Sequence, residues 1–199
     1  MPSRLAVLAS GRGSNLQAII EHFDSLARER VATVALVASN RADSLSLLLA
    51  ETASIEIAHF DASDDGSELL ALLHKFRIDL VVLAGYLKRI PPKVIREYTG
   101  RIMNIHPALL PAFGGEGMYG ARVHEAVIAS GAEETGVTVH LVDDVYDRGP
   151  IVAQWRVPVD KSDTVDSLAA RVLNIEHVVY PRAVEMVAIL QQLESKSPA

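Results

Sequence analysis

Short runs of Val, Leu, Ile and Ala alternate with amphipathic stretches over the first hundred residues, and this rhythm constrains the fold more than any other feature. Residues 5–9, 31–38, 55–58, 80–84 and 101–105 are apolar runs too short for helices and read as buried strands. The stretch 15–28 carries Leu16, Ile19, Ile20, Phe23 and Leu26 on one stripe, which is helical spacing. Stretches 44–53, 67–76 and 92–98 supply further crossovers, the last opening on a proline pair. Strand–helix alternation of this kind predicts an α/β fold, a mostly parallel open sheet with helices on both faces.

The pattern changes after residue 106. A short helix is expected over 123–129. Residues 137–142 and 151–157 then alternate as two strands about the turn 143–150, a late antiparallel hairpin. A long helix begins at Thr164 behind Asp163, which reads as its cap. With 199 residues and 49% hydrophobic content, the chain can bury one full core, so residues 1–193 are expected to form a single domain. Residues 194–199 read as a flexible C-terminal tail.

The net charge of −6 argues against nucleic acid, whose phosphates require clustered Lys and Arg. Cysteine is absent, which excludes disulfides, zinc–thiolate sites and thiol nucleophiles together. No histidine pair shows ligand spacing with a third partner, so no metal is expected. The apolar runs 5–9 and 31–38 are too short for a signal peptide and a membrane span respectively. A cytoplasmic location and no membrane partner follow as expectations.

Asn104-Ile105-His106-Pro107 is the segment most suggestive of chemistry. Side chains alternate along a strand, so Asn104 and His106 share a face while Ile105 points into the opposite layer. Pro107 biases His106 toward extended backbone. An amide and an imidazole therefore stand together at the carboxyl end of a strand, where open α/β sheets bind ligands. An amide N–H can stabilise an oxyanion and an imidazole can move protons. The alternative is that Asn104 caps a turn and His106 fills a gap in the core. The hairpin turn holds Asp143, Asp144 and Asp147. A carboxylate beside His106 would favour its imidazolium form, although acidic turn residues are ordinarily solvated.

Ser10-Gly-Arg-Gly-Ser-Asn15 joins the first strand to the first helix. Its glycines let backbone amides approach an anion, aided by the helix N-terminus. Leu16 stands where a dinucleotide fingerprint has its third glycine, so a single phosphate fits better than a pyrophosphate. A tight turn with Ser14 as N-cap is the alternative. The loop 113–120 has four glycines and reads as a candidate lid or as a plain flexible connection. His22, His59, His74 and His177 are scattered. His124 falls on a predicted surface helix, His140 shares a strand face with Thr138 and Val142 and reads either as a residue near the site or as a satisfied core histidine, and Trp155 alternates as a core or sheet-face residue.

Four motifs occur in order. They are Ser10-Gly-Arg-Gly-Ser-Asn-Leu-Gln-Ala-Ile19, Leu83-Ala-Gly-Tyr86, Asn104-Ile-His-Pro-Ala-Leu-Leu-Pro111 with a later Asp before Gly149-Pro-Ile151, and Glu176-His-Val-Val-Tyr-Pro181. Together they resemble the folate-dependent formyltransferases from Leu5 to about Tyr180. The resemblance implies a Rossmann-like formyltransferase fold. It also implies transfer of a formyl group from 10-formyltetrahydrofolate, the co-substrate, to the amine of phosphoribosylglycinamide in purine biosynthesis. Asn104, His106 and Asp147 would be catalytic, with Asp147 holding His106 and raising its pKa. Gly13, Ser14, Asn15 and Glu176 would bind the ribonucleotide. Leu87, Lys88, Arg89 and Ile90, with Asn104, would bind the folate, and the loop 113–120 would cover the site. The Leu110–Pro111 bond is expected to be cis. Partners would be small molecules, and the protein a monomer or homodimer.

Some members carry an Arg after the third strand for the folate's glutamate tail. Here that loop reads Asp61-Ala-Ser-Asp-Asp-Gly66, leaving Lys88 or Arg89 to compensate. Rival readings are a formyltetrahydrofolate hydrolase, usually with an N-terminal regulatory domain not expected before Leu5, and the initiator methionyl-tRNA formyltransferase, which adds a basic RNA-binding domain. A non-catalytic nucleotide-binding module is the third.

Overall fold

The computed structural model describes residues 1–195, and their backbone resolves into seven strands and six α-helices. The order is β1 (Ser3–Leu8), α1 (Ser14–Ser25), β2 (Ala32–Ser39), α2 (Leu45–Thr52), β3 (Ile57–His59), α3 (Ser67–Lys75), β4 (Leu80–Leu83), α4 (Pro92–Glu97) and β5 (Ile102–His106). After β5 come α5 (Ala121–Ala129), β6 (Glu134–Leu141), β7 (Ile151–Pro158) and α6 (Val165–Glu194). The strands form one sheet in the order β3-β2-β1-β4-β5-β6-β7. β1 to β5 are parallel, and β6 and β7 run antiparallel, the expected late hairpin.

Alternation along the inner strands feeds two hydrophobic layers. Leu5, Val7, Leu80, Val82, Met103 and Ile105 pack with Leu16, Ile19 and Phe23 of α1 and with Leu168, Val172 and Val184 of α6. Ala6, Leu8, Val81, Leu83 and Ile102 face the other way, toward Leu69 and Leu73 of α3 and Val94 of α4. Each fully buried Leu, Val or Ile contributes roughly 1.5–3 kcal/mol relative to exposure. Tyr180 is fully buried in α6, and its hydroxyl donates to Leu83 O at 2.9 Å, with Met103 O at 3.2 Å. The ends of β4 and β5 are thereby fastened to one helix.

Several element bounds differ from expectation. α1 ends at Ser25 because Ala27 turns left-handed (φ 47°), and Ala27–Glu29 forms one 3-10 turn. β3 begins two residues later than expected. The cap of α6 is Thr164, not Asp163. Thr164 Oγ1 accepts from Ser167 N–H at 3.1 Å, and Ser167 Oγ accepts from Thr164 N–H at 3.0 Å, a reciprocal capping box. Asp163 instead receives both Nη atoms of Arg171, at 2.7 and 2.8 Å. Trp155 lies on edge strand β7 and is 57% exposed, so it belongs to the sheet face and not the core. α6 continues through Glu194, the first residue of the expected tail, and residues 196–199 lie outside the described residues. Among the described residues no helix is long and apolar enough to cross a membrane.

Candidate active site

Strand order reverses at β1, with β2 and β3 on one side and β4 and β5 on the other. Loops diverging from the carboxyl ends of the strands at such a point open a crevice. A cavity of about 670 Å³ lies there, within the usual range for a small-molecule site. It is lined by Asn104, His106 and Asp147, by Asn15 and Glu176, and by Leu87, Lys88, Arg89 and Ile90. Gly13 and Ser14 flank this cavity without lining it. Segments far apart in sequence thus meet as expected.

Asn104 and His106 share the face of β5 opposite Met103 and Ile105. The antiparallel register sets Asn104 against His140 and His106 against Thr138. That pairing brings Asn104 Nδ2 to 3.1 Å from His140 Nε2. The other ring nitrogen, Nδ1, lies 2.9 Å from Leu141 O, which commits a proton to Nδ1. A neutral His140 therefore shows Nε2 only as a lone pair, which selects the N–H edge of the Asn104 amide. One N–H of that amide serves His140 and the second remains for the cavity. His140 is thus part of the site and more than a core histidine. A place near the site is one of the two readings the sequence leaves open, because strand pairing is invisible in a linear pattern. The shared parity of Thr138 and His140 in the hairpin was the available signal.

Asp147 reaches both imidazoles. Its Oδ1 is 3.5 Å from His140 Nε2 and its Oδ2 is 3.6 Å from His106 Nδ1, with the carboxylate side chain only 10% exposed. At 3.6 Å the His106 contact is electrostatic and not yet a hydrogen bond. His140 Nε2 can accept from Asn104 when neutral or donate to Asp147 when protonated, but not both at once. Oδ2 of Asp147 also accepts the Gly115 N–H at 2.9 Å. Burial pushes the Asp147 carboxyl up, but the contact with His140, the Gly115 N–H and the neighbouring His106 together hold it below the ordinary range.

At His106 the expected upward push from Asp147 is present but does not prevail. Burial lowers the histidine's pKa, and although Asp147 and the Phe113 carbonyl push it up, burial prevails and the net direction is down. His106 Nε2 lies 2.8 Å from Phe113 O, so in the neutral ring the proton sits on Nε2 and the Nδ1 lone pair faces Asp147. Adding a proton at Nδ1 would complete the contact with the carboxylate. The carbonyl that occupies Nε2 belongs to the first residue of the glycine-rich loop.

That loop lies against the site as expected. Gly115, Glu116, Gly117, Met118, Tyr119 and Gly120 all line the cavity. A Cβ on Gly114 would overlap Leu110 Cδ2 and come within 3.2 Å of Asp147 Cβ, so any larger residue must displace the Leu110 side chain to pass this close to the carboxylate. The Leu110–Pro111 bond is cis. Thr138 Oγ1 donates to Ala108 O at 2.6 Å and accepts from Leu110 N–H and Gln154 Nε2 at 3.0 Å each, tying the segment after His106 to the hairpin.

At the other end, Gly13 caps α1 with φ 82°, and the first backbone bond into the helix runs from Gln17 N–H to Gly13 O at 2.8 Å. The amides before it point outward from a helix N-terminus, suited to an anion. A Cβ on Gly13 would lie 3.2 Å from Ser46 Cα, so positive φ and Ser46 demand glycine here before any ligand arrives. Ser14 opens the helix and is not its cap. Asn15 Nδ2 donates to Glu176 Oε2 at 2.6 Å, while Asn15 Oδ1 is buried without a partner. Burial raises the Glu176 carboxyl to about 7 against the opposing Asn15 hydrogen bond.

Leu87 to Ile90 follow β4. Arg89 Nη2 donates to Asp144 O at 2.7 Å, and its guanidinium lies 5.7 Å from the Tyr146 ring centroid, so it braces the hairpin turn. Lys88 is exposed and has no hydrogen bond or ion pair among the described residues, which leaves it as the unengaged cation at this end. The acids of the loop after β3 are used locally. Asp61 accepts from Ser63 N–H and Asp65 from Ser67 N–H, at 2.8 and 3.0 Å.

His124 also corrects its assignment to a surface helix. It is 5% exposed and lines the same cavity from α5.

A Rossmann-like sheet with this amide, imidazole and carboxylate at its switch point defines a class, and residues 3–184 match the formyl transferase family. The chain belongs to that family. It is 38% identical over 191 residues to phosphoribosylglycinamide formyltransferase of Escherichia coli (strain K12), covering 92% of this chain and 86% of that protein. It is 45% identical over 188 residues to the chloroplastic phosphoribosylglycinamide formyltransferase of Vigna unguiculata, covering 92% of this chain. The chain spans 60% of that relative's length. The crystal structure of phosphoribosylglycinamide formyltransferase from Anaplasma phagocytophilum superposes with a TM-score of 0.86 at 37% identity, covering 93% of this chain and 86% of that one.

Proposed function

We propose that this protein transfers the formyl group of 10-formyltetrahydrofolate to the amine of phosphoribosylglycinamide, a step of purine biosynthesis, in the cytoplasm. The observation that carries the reading is the meeting of Asn104, His106 and Asp147 in one cavity between Asn15–Glu176 and residues 87–90. One end offers outward amides and a carboxylate for a phosphoribosyl group. The other offers Leu87 to Ile90, with the apolar side chains of Leu87 and Ile90, for a flat ring.

The amine lone pair attacks the formyl carbon, forming a C–N bond while the carbonyl electrons move to oxygen. The free N–H of Asn104 donates to that oxyanion, and the His106 imidazolium stabilises it. Collapse breaks the bond to folate nitrogen, which leaves carrying a proton equivalent to the one the amine loses. No bond to the enzyme is needed. Asp147 favours the proton on His106 Nδ1, and release of Nε2 from Phe113 O requires the loop 113–120 to shift. Small-molecule partners suffice for this chemistry, and monomer or homodimer would each contain the site.

The test is to follow folate product with phosphoribosylglycinamide present and absent. Product formed only with the ribonucleotide supports transfer. Equal product without it means hydrolysis, and none in either case means a binding module.

A further inference from the structure

His124 is a buried titratable residue of this cavity that the transfer chemistry leaves unused. It projects from the second turn of α5, which packs against α6, the helix that carries Glu176. Only Nδ1 of the ring is buried without a partner, which leaves Nε2 as the nitrogen open to a ligand in the cavity that His124 lines. A buried N–H without an acceptor is rarer and costlier than a buried lone pair without a donor. The neutral ring therefore keeps its lone pair at Nδ1 and its proton at Nε2.

We propose that His124 is a substrate-positioning residue, donating its Nε2–H to an oxygen of the amine-bearing ribonucleotide. The proposal rests on the formyl-transfer reading above and deepens it. The phosphoribosyl end fits because His124 shares the cavity with Asn15 and Glu176, and α5, which carries it, packs against α6, which carries Glu176. Its charge neighbour is His106, and the cavity they line also carries His140, Asp147, Glu116, Asp166 and Glu176. Burial and the neighbouring His106 both disfavour a charge on His124. A second imidazolium beside a protonated His106 is thus avoided, and the neutral ring still donates.

Gln places an N–H where histidine has Nε2, Asn places it nearer Nδ1, and Leu supplies neither. Steady-state kinetics on His124→Gln, His124→Asn and His124→Leu, with each substrate varied in turn, read this directly. His124→Leu and His124→Asn are expected to lower kcat/KM for the ribonucleotide by about 3–10-fold, the range for one neutral hydrogen bond. His124→Gln should recover most of that loss. The KM for the folate donor and the acidic limb of the pH profile should stay unchanged in all three. Gln failing as badly as Leu would make His124 a packing residue and overturn the proposal. So would a raised donor KM, or loss of the acidic limb, which would mark a proton acceptor. A wild-type protein without transfer activity would overturn the underlying reading instead.

Discussion

Replacing Asp147 by Asn removes one charge at nearly constant size and isolates what the carboxylate does to the imidazoles. Asp147 Oδ2 stands 3.6 Å from His106 Nδ1. A charge pair at that distance is worth roughly 1 kcal/mol under water-like screening and about 5 kcal/mol at an effective dielectric near 20. A pKa change of about 1–3 units corresponds to such a partner. Burial already holds His106 below its ordinary 6.5. The variant should drop further, cutting the imidazolium present at pH 7 by about 10- to 1000-fold. Single-turnover formyl transfer should fall within the same range while ribonucleotide affinity changes little, because the charge acts mainly in the transition state. NMR titration of the His106 ring, beside those rates, is the assay. A second check is acid melting. A histidine whose folded pKa lies below its unfolded value loses stability as pH falls through about 6.5, and the variant should lose it more steeply. An unmoved histidine and a rate within twofold of wild type would reduce Asp147 to a turn residue.

Three further outcomes follow from the same geometry. His140→Ala removes the acceptor that orients the Asn104 amide, so kcat should fall about tenfold with KM for either substrate unchanged, and an equal rise in both KM values would refute the positioning role. Gly114→Ala pushes a methyl into Leu110 and Asp147; we expect about 1–3 kcal/mol lost in urea melts together with activity, whereas full activity would show that the loop has room. Glu176→Gln keeps an oxygen acceptor for Asn15 but abolishes a buried charge. With a folded pKa near 7 against an ordinary 4.5, Glu176 makes the free protein less stable as pH rises between those values. The variant should be more stable at pH 8 by up to roughly 3 kcal/mol, yet bind the ribonucleotide more weakly. Identical melting curves at pH 8 would mean that the carboxylate is well solvated.

The alternation of apolar runs and amphipathic stretches determined the α/β class and nearly every element, because side-chain periods of two and 3.6 are local properties of the chain. Parity likewise determined that Asn104 and His106 share a face. Proximity was decided only by tertiary structure. Nothing local sets Asn104 against His140, buries His124 in the cavity wall, or makes Thr138 the anchor of the segment after Pro107, since each depends on an antiparallel register or on helix packing. The same holds for charge. A carboxylate near a histidine predicts a raised pKa, but at His106 burial outweighs Asp147, and desolvation depends on everything folded around the ring. Thr164 caps α6 in place of Asp163, whose carboxylate is held by Arg171 on the second turn of the helix, a competition between neighbours that the linear order of residues does not rank.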